Sequence, residues 1–179
     1  MCGFQAGGAA VCLFLAGQTA LASPTHYRRA ACADLSTETP IWRISNAASS
    51  DWPGGGGGRV ELWANHIPTG EVADCDVEYR MNATDGSIVG YDPTTVITCT
   101  NFGTAALNTT VQLDMETLLL TINSTWACEE GGEAKYSATG STTLNRDTSP
   151  EACLVEPTQV GPSTTCPIAD AEVEGKLEE

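Results

Sequence analysis

The chain has 179 residues, with 8 Lys+Arg against 23 Asp+Glu and a formal net charge of −15. That balance excludes phosphate-tracking nucleic-acid binders and proteins that dock on anionic membranes, both of which need clustered cations. Acidity otherwise gives solubility and self-repulsion, and the length suits one domain that buries roughly 70% of its unfolded surface.

The N-terminus, MCGFQAGGAAVCLFLAGQTALAS, has a short apolar run over 9–17 followed by Ala20-Leu21-Ala22. This is the layout of a secretory signal peptide with an A-x-A cleavage site. The run is shorter than the about 20 apolar residues a bilayer needs, and no later segment is long and apolar enough to span one. The expected organisation is a signal peptide over 1–22 and a linker over 23–31 that carries the dibasic processing pair Arg28-Arg29. Processing there leaves 150 residues from Ala30 and takes the formal charge to −17.

Cys2 and Cys12 leave with the leader. Cys32, Cys75, Cys99, Cys128, Cys153 and Cys166 remain, an even set that reads as a disulfide framework in a secreted chain. Six cysteines allow 15 pairings. No C-x-x-C occurs, so zinc and thioredoxin-like chemistry lack their spacing.

Residues 41–45 form a short first strand. Pro53 and the glycine run 54–58 follow, read as a flexible loop of low-complexity origin. In 59–67, Val60, Leu62 and Ala64 share one face, with Glu61, Trp63 and Asn65 on the other. In 73–81, Ala73, Cys75, Val77, Tyr79 and Met81 oppose Asp74, Asp76, Glu78 and Arg80, a strict period of two. Asp85-Gly86 marks a turn. The β-branched segment 94–102 contains Cys99, and Val111, Leu113 and Met115 alternate after it.

The stretch 117–128 places Leu118, Leu120, Ile122, Ser124, Trp126 and Cys128 on one face, and Leu119, Thr121, Asn123 and Thr125 on the other. Glu130-Gly131-Gly132-Glu133 supplies a hairpin connection. The return strand 134–144 carries Gly140 on its inner face, which predicts a bulge or a close backbone approach. No amphipathic helix is evident. The prediction is an all-β, disulfide-stapled antiparallel barrel or sandwich over 32–153. Beyond Cys153 the Pro-rich, acidic 154–179 reads as a disordered tail.

Three sequons, at Asn82, Asn108 and Asn123, predict N-glycans. Asn123 lies on the outward face of its strand.

No catalytic motif emerges. His66 is the sole histidine candidate for a base after processing, and no G-x-S-x-G elbow accompanies it. Asp74, Asp76 and Glu78 share one strand face with about 7 Å between successive members. Such spacing permits paired-carboxylate glycoside hydrolysis or a weak Ca²⁺ site, and equally a solvated face. No cofactor or metal-ligand cluster is predicted. Of four tryptophans, Trp42 and Trp126 read as core, whereas Trp52 and Trp63 are candidates for an exposed binding patch.

Taken together, WRISN at the first strand, Cys75, ITCTN around Cys99, LLLTINSTWAC, ATGSTTL and Cys153 resemble small secreted fungal proteins related to the major Alternaria allergen. The resemblance covers 41 to about 153. The glycine run, Cys166 and the acidic tail depart from it. It implies a small disulfide-held antiparallel β-barrel and no agreed enzymatic activity, with allergen-like or effector-like roles through binding. It also implies bridges Cys75–Cys99 and Cys128–Cys153, leaving Cys32 to pair with Cys166 or to link two chains into a homodimer. The expected function is a secreted non-enzymatic protein that binds a host or cell-wall protein. The alternatives are a carbohydrate-active hydrolase using paired carboxylates, or a structural cell-surface protein.

Overall fold

The computed structural model describes residues 31–39, 41–103, 106–128 and 136–178. The predicted signal peptide, the Arg28-Arg29 pair and the 130–133 connection lie outside them. The described chain is almost entirely antiparallel β-structure. In the first sheet, β1 (Trp42–Trp52), β2 (Gly57–His66), β3 (Glu71–Met81) and β4 (Ile88–Val89) follow in sequence order. β5 (Ile97–Thr98) belongs to the second sheet, whereas β6 (Thr100–Asn101) returns to pair with β3. β7 (Leu107–Leu113), β8 (Leu119–Trp126) and β9 (Tyr136–Thr143) form the centre of the second sheet. The C-terminal β10 (Leu154–Thr158), β11 (Gly161–Ile168) and β12 (Ala171–Val173) extend the first sheet beside β1, and β13 (Gly175–Leu177) edges the second beside β9.

The period-two faces predicted for β2, β3 and β8 are the faces that meet. Val60, Leu62, Ala73, Cys75 and Val77 from the first sheet pack with Val111, Leu113, Leu120 and Ile122 from the second in one core. Trp42 and Trp126 are fully buried in it. A buried indole N–H requires an acceptor. Trp42 Nε1 donates to Ser124 Oγ (3.0 Å), which lies 2.8 Å from Thr109 Oγ1. Trp126 Nε1 donates to Ser36 Oγ (2.9 Å), whose hydroxyl donates to the Cys32 carbonyl (2.8 Å). A helical turn at 31–35 thereby closes one end of the core.

The glycine run is not a flexible loop. Pro53–Gly55 forms a 3₁₀ turn, Gly56 takes φ +74°, and Gly57 and Gly58 begin β2. A Cβ on Gly54 would overlap the Val160 carbonyl at the β10–β11 tip, and one on Gly58 would overlap the Tyr79 ring. Tyr79 crosses Gly58 to donate its hydroxyl proton to Asp51 Oδ1, so three neighbouring strands meet at one glycine. Burial first, then this bond, raises the Tyr79 phenol well above its ordinary range. Gly58→Ala is expected to cost about 2 kcal/mol by overpacking. In a Tyr79→Ala background the same change should cost far less. Denaturant melts of the double-mutant cycle check this, and an equal cost in both backgrounds would refute the steric account.

Nor is 154–178 a disordered tail, and the domain does not end at 153. Its prolines fit the ladder. Pro157 and Pro162 face each other across β10–β11, and Pro167 faces Ala48 of β1. A cross-strand pair with no N–H on either side can occupy only a non-hydrogen-bonded site, where none is needed. Of its large apolar residues, Ile168 and Val173 are buried, whereas Leu154, Val155 and Val160 stay exposed. The predicted close approach at Gly140 is made by this segment, through the backbone carbonyl of Glu174.

All six cysteines among the described residues are bridged. Cys75–Cys99 is the pair the resemblance implies. Cys128 joins Cys32 rather than Cys153, because the 31–35 turn lies over the Trp126 end of the core. Cys153 joins Cys166 because the β10–β11 register sets them opposite each other. Cys32 is therefore neither the partner of Cys166 nor a free thiol for a covalent homodimer.

Candidate functional site

The two tryptophans proposed as a patch do not come together. Trp52 pairs with Gly57, six residues along β2 from Trp63, a separation of roughly 20 Å. Its half-buried indole covers its own turn: a methyl group on Gly55 or Gly57 would lie 2.9 Å from it. Trp63 stands on the outer face of the first sheet and is 41% exposed.

Trp63 has a different aromatic neighbour. Ser45, Trp63, Asp74 and Thr100 form one row across β1, β2, β3 and β6. In the next row Asn65 faces Val72, whose carbonyl accepts the Phe102 N–H at 3.1 Å. Phe102 is 63% exposed. Trp63 and Phe102 therefore flank β3 from either side, with Asp74 and Val72 between them and backbones about 10 Å apart. Sequence reading overlooked Phe102. Its signal was parity: Phe102 and Thr100 alternate with the buried Cys99, so both point outward.

The carboxylates Asp74, Asp76 and Glu78 do share this face, as their alternation predicted. Arg59 lies among them, 3.0 Å from Glu61 and 3.8 Å from Asp76. Partial burial raises the Asp76 carboxyl; Arg59 opposes the shift, and Glu78 and Asp74 add to it. Arg43, on the same face, pairs with Glu172 at 2.8 Å. Asp74 has no hydrogen bond or ion pair among the described residues.

His66 is a core residue, 1% exposed. Its ring lies edge-on to Trp126 (centroids 4.5 Å apart) and 6.3 Å from Trp42, with Nδ1 2.9 Å from Thr69 Oγ1. Burial lowers its pKa to about 3, which makes it a poor proton acceptor near neutrality. Among the described residues, no three His, Cys, Asp or Glu side chains converge on a metal position, and no helix is long and apolar enough to cross a membrane.

The outer face of the second sheet carries two of the sequons. They pair in antiparallel register, Asn108 opposite Thr125 and Thr110 opposite Asn123. Their middle residues, Thr109 and Ser124, point inward to the Trp42 hydrogen bonds. Asn108 is exposed; Asn123 is half-buried and donates from Nδ2 to Thr139 Oγ1 (2.8 Å). Asn82 occupies the β3–β4 turn, where its Oδ1 accepts the Thr84 N–H. Comparison with family models, curated proteins and solved structures yields no match for this chain.

Proposed function

We propose that this chain is a secreted, non-enzymatic binding protein that engages a host or cell-wall protein through the outer face of β2, β3 and β6. The observation that carries the reading is the pair of exposed aromatics, Trp63 and Phe102, on either side of β3, with Trp63 on the β2–β3 ladder and the Phe102 segment tied to β3 by the Cys75–Cys99 bridge. Tryptophan is enriched at binding hot spots, and a rigid support lowers the ordering cost of association. Three intrachain disulfides favour an oxidising compartment. Residence there agrees with N-glycans on Asn82, Asn108 and Asn123. The last two would cover the second sheet and leave the Trp63 face open. The allergen- and effector-like resemblance of the sequence supports the same reading.

The test is secretion of the full chain from a eukaryotic host, with the mass of the product read for leader removal and glycans. The purified protein is then immobilised and exposed to host and cell-wall protein extracts. Trp63→Ala with Phe102→Ala should reduce retention of the captured protein at least about 10-fold, with an unchanged circular dichroism spectrum. Undiminished retention would remove this face from the reading. Polysaccharide hydrolysis that disappears in Asp74→Asn or Asp76→Asn would replace binding with carbohydrate-active chemistry.

A further inference from the structure

We infer that the Trp63–Phe102 face takes a basic segment of a partner protein, with a lysine or arginine side chain laid between the two rings and its cationic head on Asp74. This rests on the binding reading above and names the partner's chemistry.

Three observations lead to it. First, the two exposed aromatics stand on either side of β3, and the outward β3 residues between them are Val72 and Asp74. A basic side chain is an apolar stem with a charged tip. Its stem suits the rings and Val72, and its tip is attracted both by ring faces and by a carboxylate. Second, the cations nearest Asp74 on this face already have partners, and Arg80 stands six residues along β3 from it, roughly 20 Å away. Arg59 is held by Glu61 and Asp76, and Arg43 by Glu172. Asp74, between the two aromatics on β3, has neither ion pair nor hydrogen bond among the described residues. Third, Asp76 and Glu78 continue the acidic row along β3, and the whole chain is strongly anionic. Complementarity therefore selects a cationic partner and repels an acidic one.

The probe is a fluorescent octapeptide alternating lysine and threonine, titrated against the full secreted protein at physiological ionic strength. A lysine-to-glutamine version serves as the neutral control. The lysine peptide should bind, the neutral one should not, and Trp63 fluorescence should change on binding. Trp63→Ala and Asp74→Asn should each weaken binding about 10-fold or more. Glu156→Gln, a charge loss of equal size on the exposed β10, should leave affinity within about two-fold, because charges beyond a Debye length are screened. Equal losses at Asp74 and Glu156 would mean diffuse attraction by net charge and would overturn the inference. So would binding that ignores Trp63, or no binding of the lysine peptide. If the extract protein is still retained through Trp63 and Phe102 in that case, the face is a binding face for a partner that is not basic. If neither experiment depends on those residues, the binding reading falls as well.

Discussion

Replacing Cys32 and Cys128 together by serine should destabilise the protein by about 4 to 5 kcal/mol, against about 3 kcal/mol for the Cys153 and Cys166 pair, in the chain-entropy account. The asymmetry follows from what each bridge closes. Cys32–Cys128 spans 96 residues and Cys153–Cys166 spans 13, so the first restricts the unfolded chain far more. Its loss also frees the 31–35 turn. Ser36, directly after that turn, accepts the buried Trp126 indole N–H, and an indole N–H left without an acceptor costs about 1 to 3 kcal/mol more. The sum, about 5 to 8 kcal/mol, matches the lower half of the roughly 5 to 15 kcal/mol that holds a domain together. Denaturant unfolding of the two double variants decides the point, since paired replacement leaves no thiol to reshuffle the remaining bridges. Equal losses would mean that the N-terminal turn is not part of the cooperative core.

The strand faces of this fold are legible because alternation is a local property. Ala73 to Arg80 sort inside and outside by position alone, and so do Leu120 to Trp126. Gly140 announced a close approach because a glycine on the inner face of a strand has few other reasons to be there. What escaped reading depends on residues distant in sequence. Gly54 is required by Val160 and Gly58 by Tyr79, so a run that looks repetitive is a set of separate steric demands. Pro157 and Pro162 looked like breakers until each became the other's cross-strand neighbour. The cysteine pairing depends on a helical turn too short to show periodicity. At the candidate site, Trp63 and the acidic row were visible from β2 and β3, but Phe102 required knowing that β6 joins β3.

Acidification should weaken the fold through His66 before the carboxylates respond. The imidazole lies between Trp42 and Trp126, with Thr69 at Nδ1 and, among the described residues, no hydrogen-bond partner at the buried Nε2. Its cross-strand neighbour on β3 is Glu71. Burial takes its pKa from 6.5 to about 3, so the folded state keeps the ring neutral while the unfolded state takes up a proton. Stability is therefore full above pH 6.5 and declines as pH falls toward 3, because the unfolded chain binds more protons throughout that window. Each pH unit contributes about 1.4 kcal/mol, so the decline from this one group reaches about 3 kcal/mol at pH 4.5. Asp85, Asp92, Asp114, Asp147 and Glu178 have lowered carboxyl pKa values through turn and hydroxyl hydrogen bonds. The four aspartates lose their contribution mainly below the range compared, and Glu178 only begins to do so at its lower end. Denaturant unfolding at pH 7.5 and 4.5 should show the wild-type loss, and His66→Gln should abolish most of it even if that variant is less stable at both. Carbon-detected NMR of the native protein gives a second reading that needs no variant: the His66 ring should stay neutral at pH 4.5. An imidazole that titrates near 6.5 in the folded protein, or a variant with wild-type acid sensitivity, would show that the ring reaches water and that the Trp42–Trp126 end of the core is open.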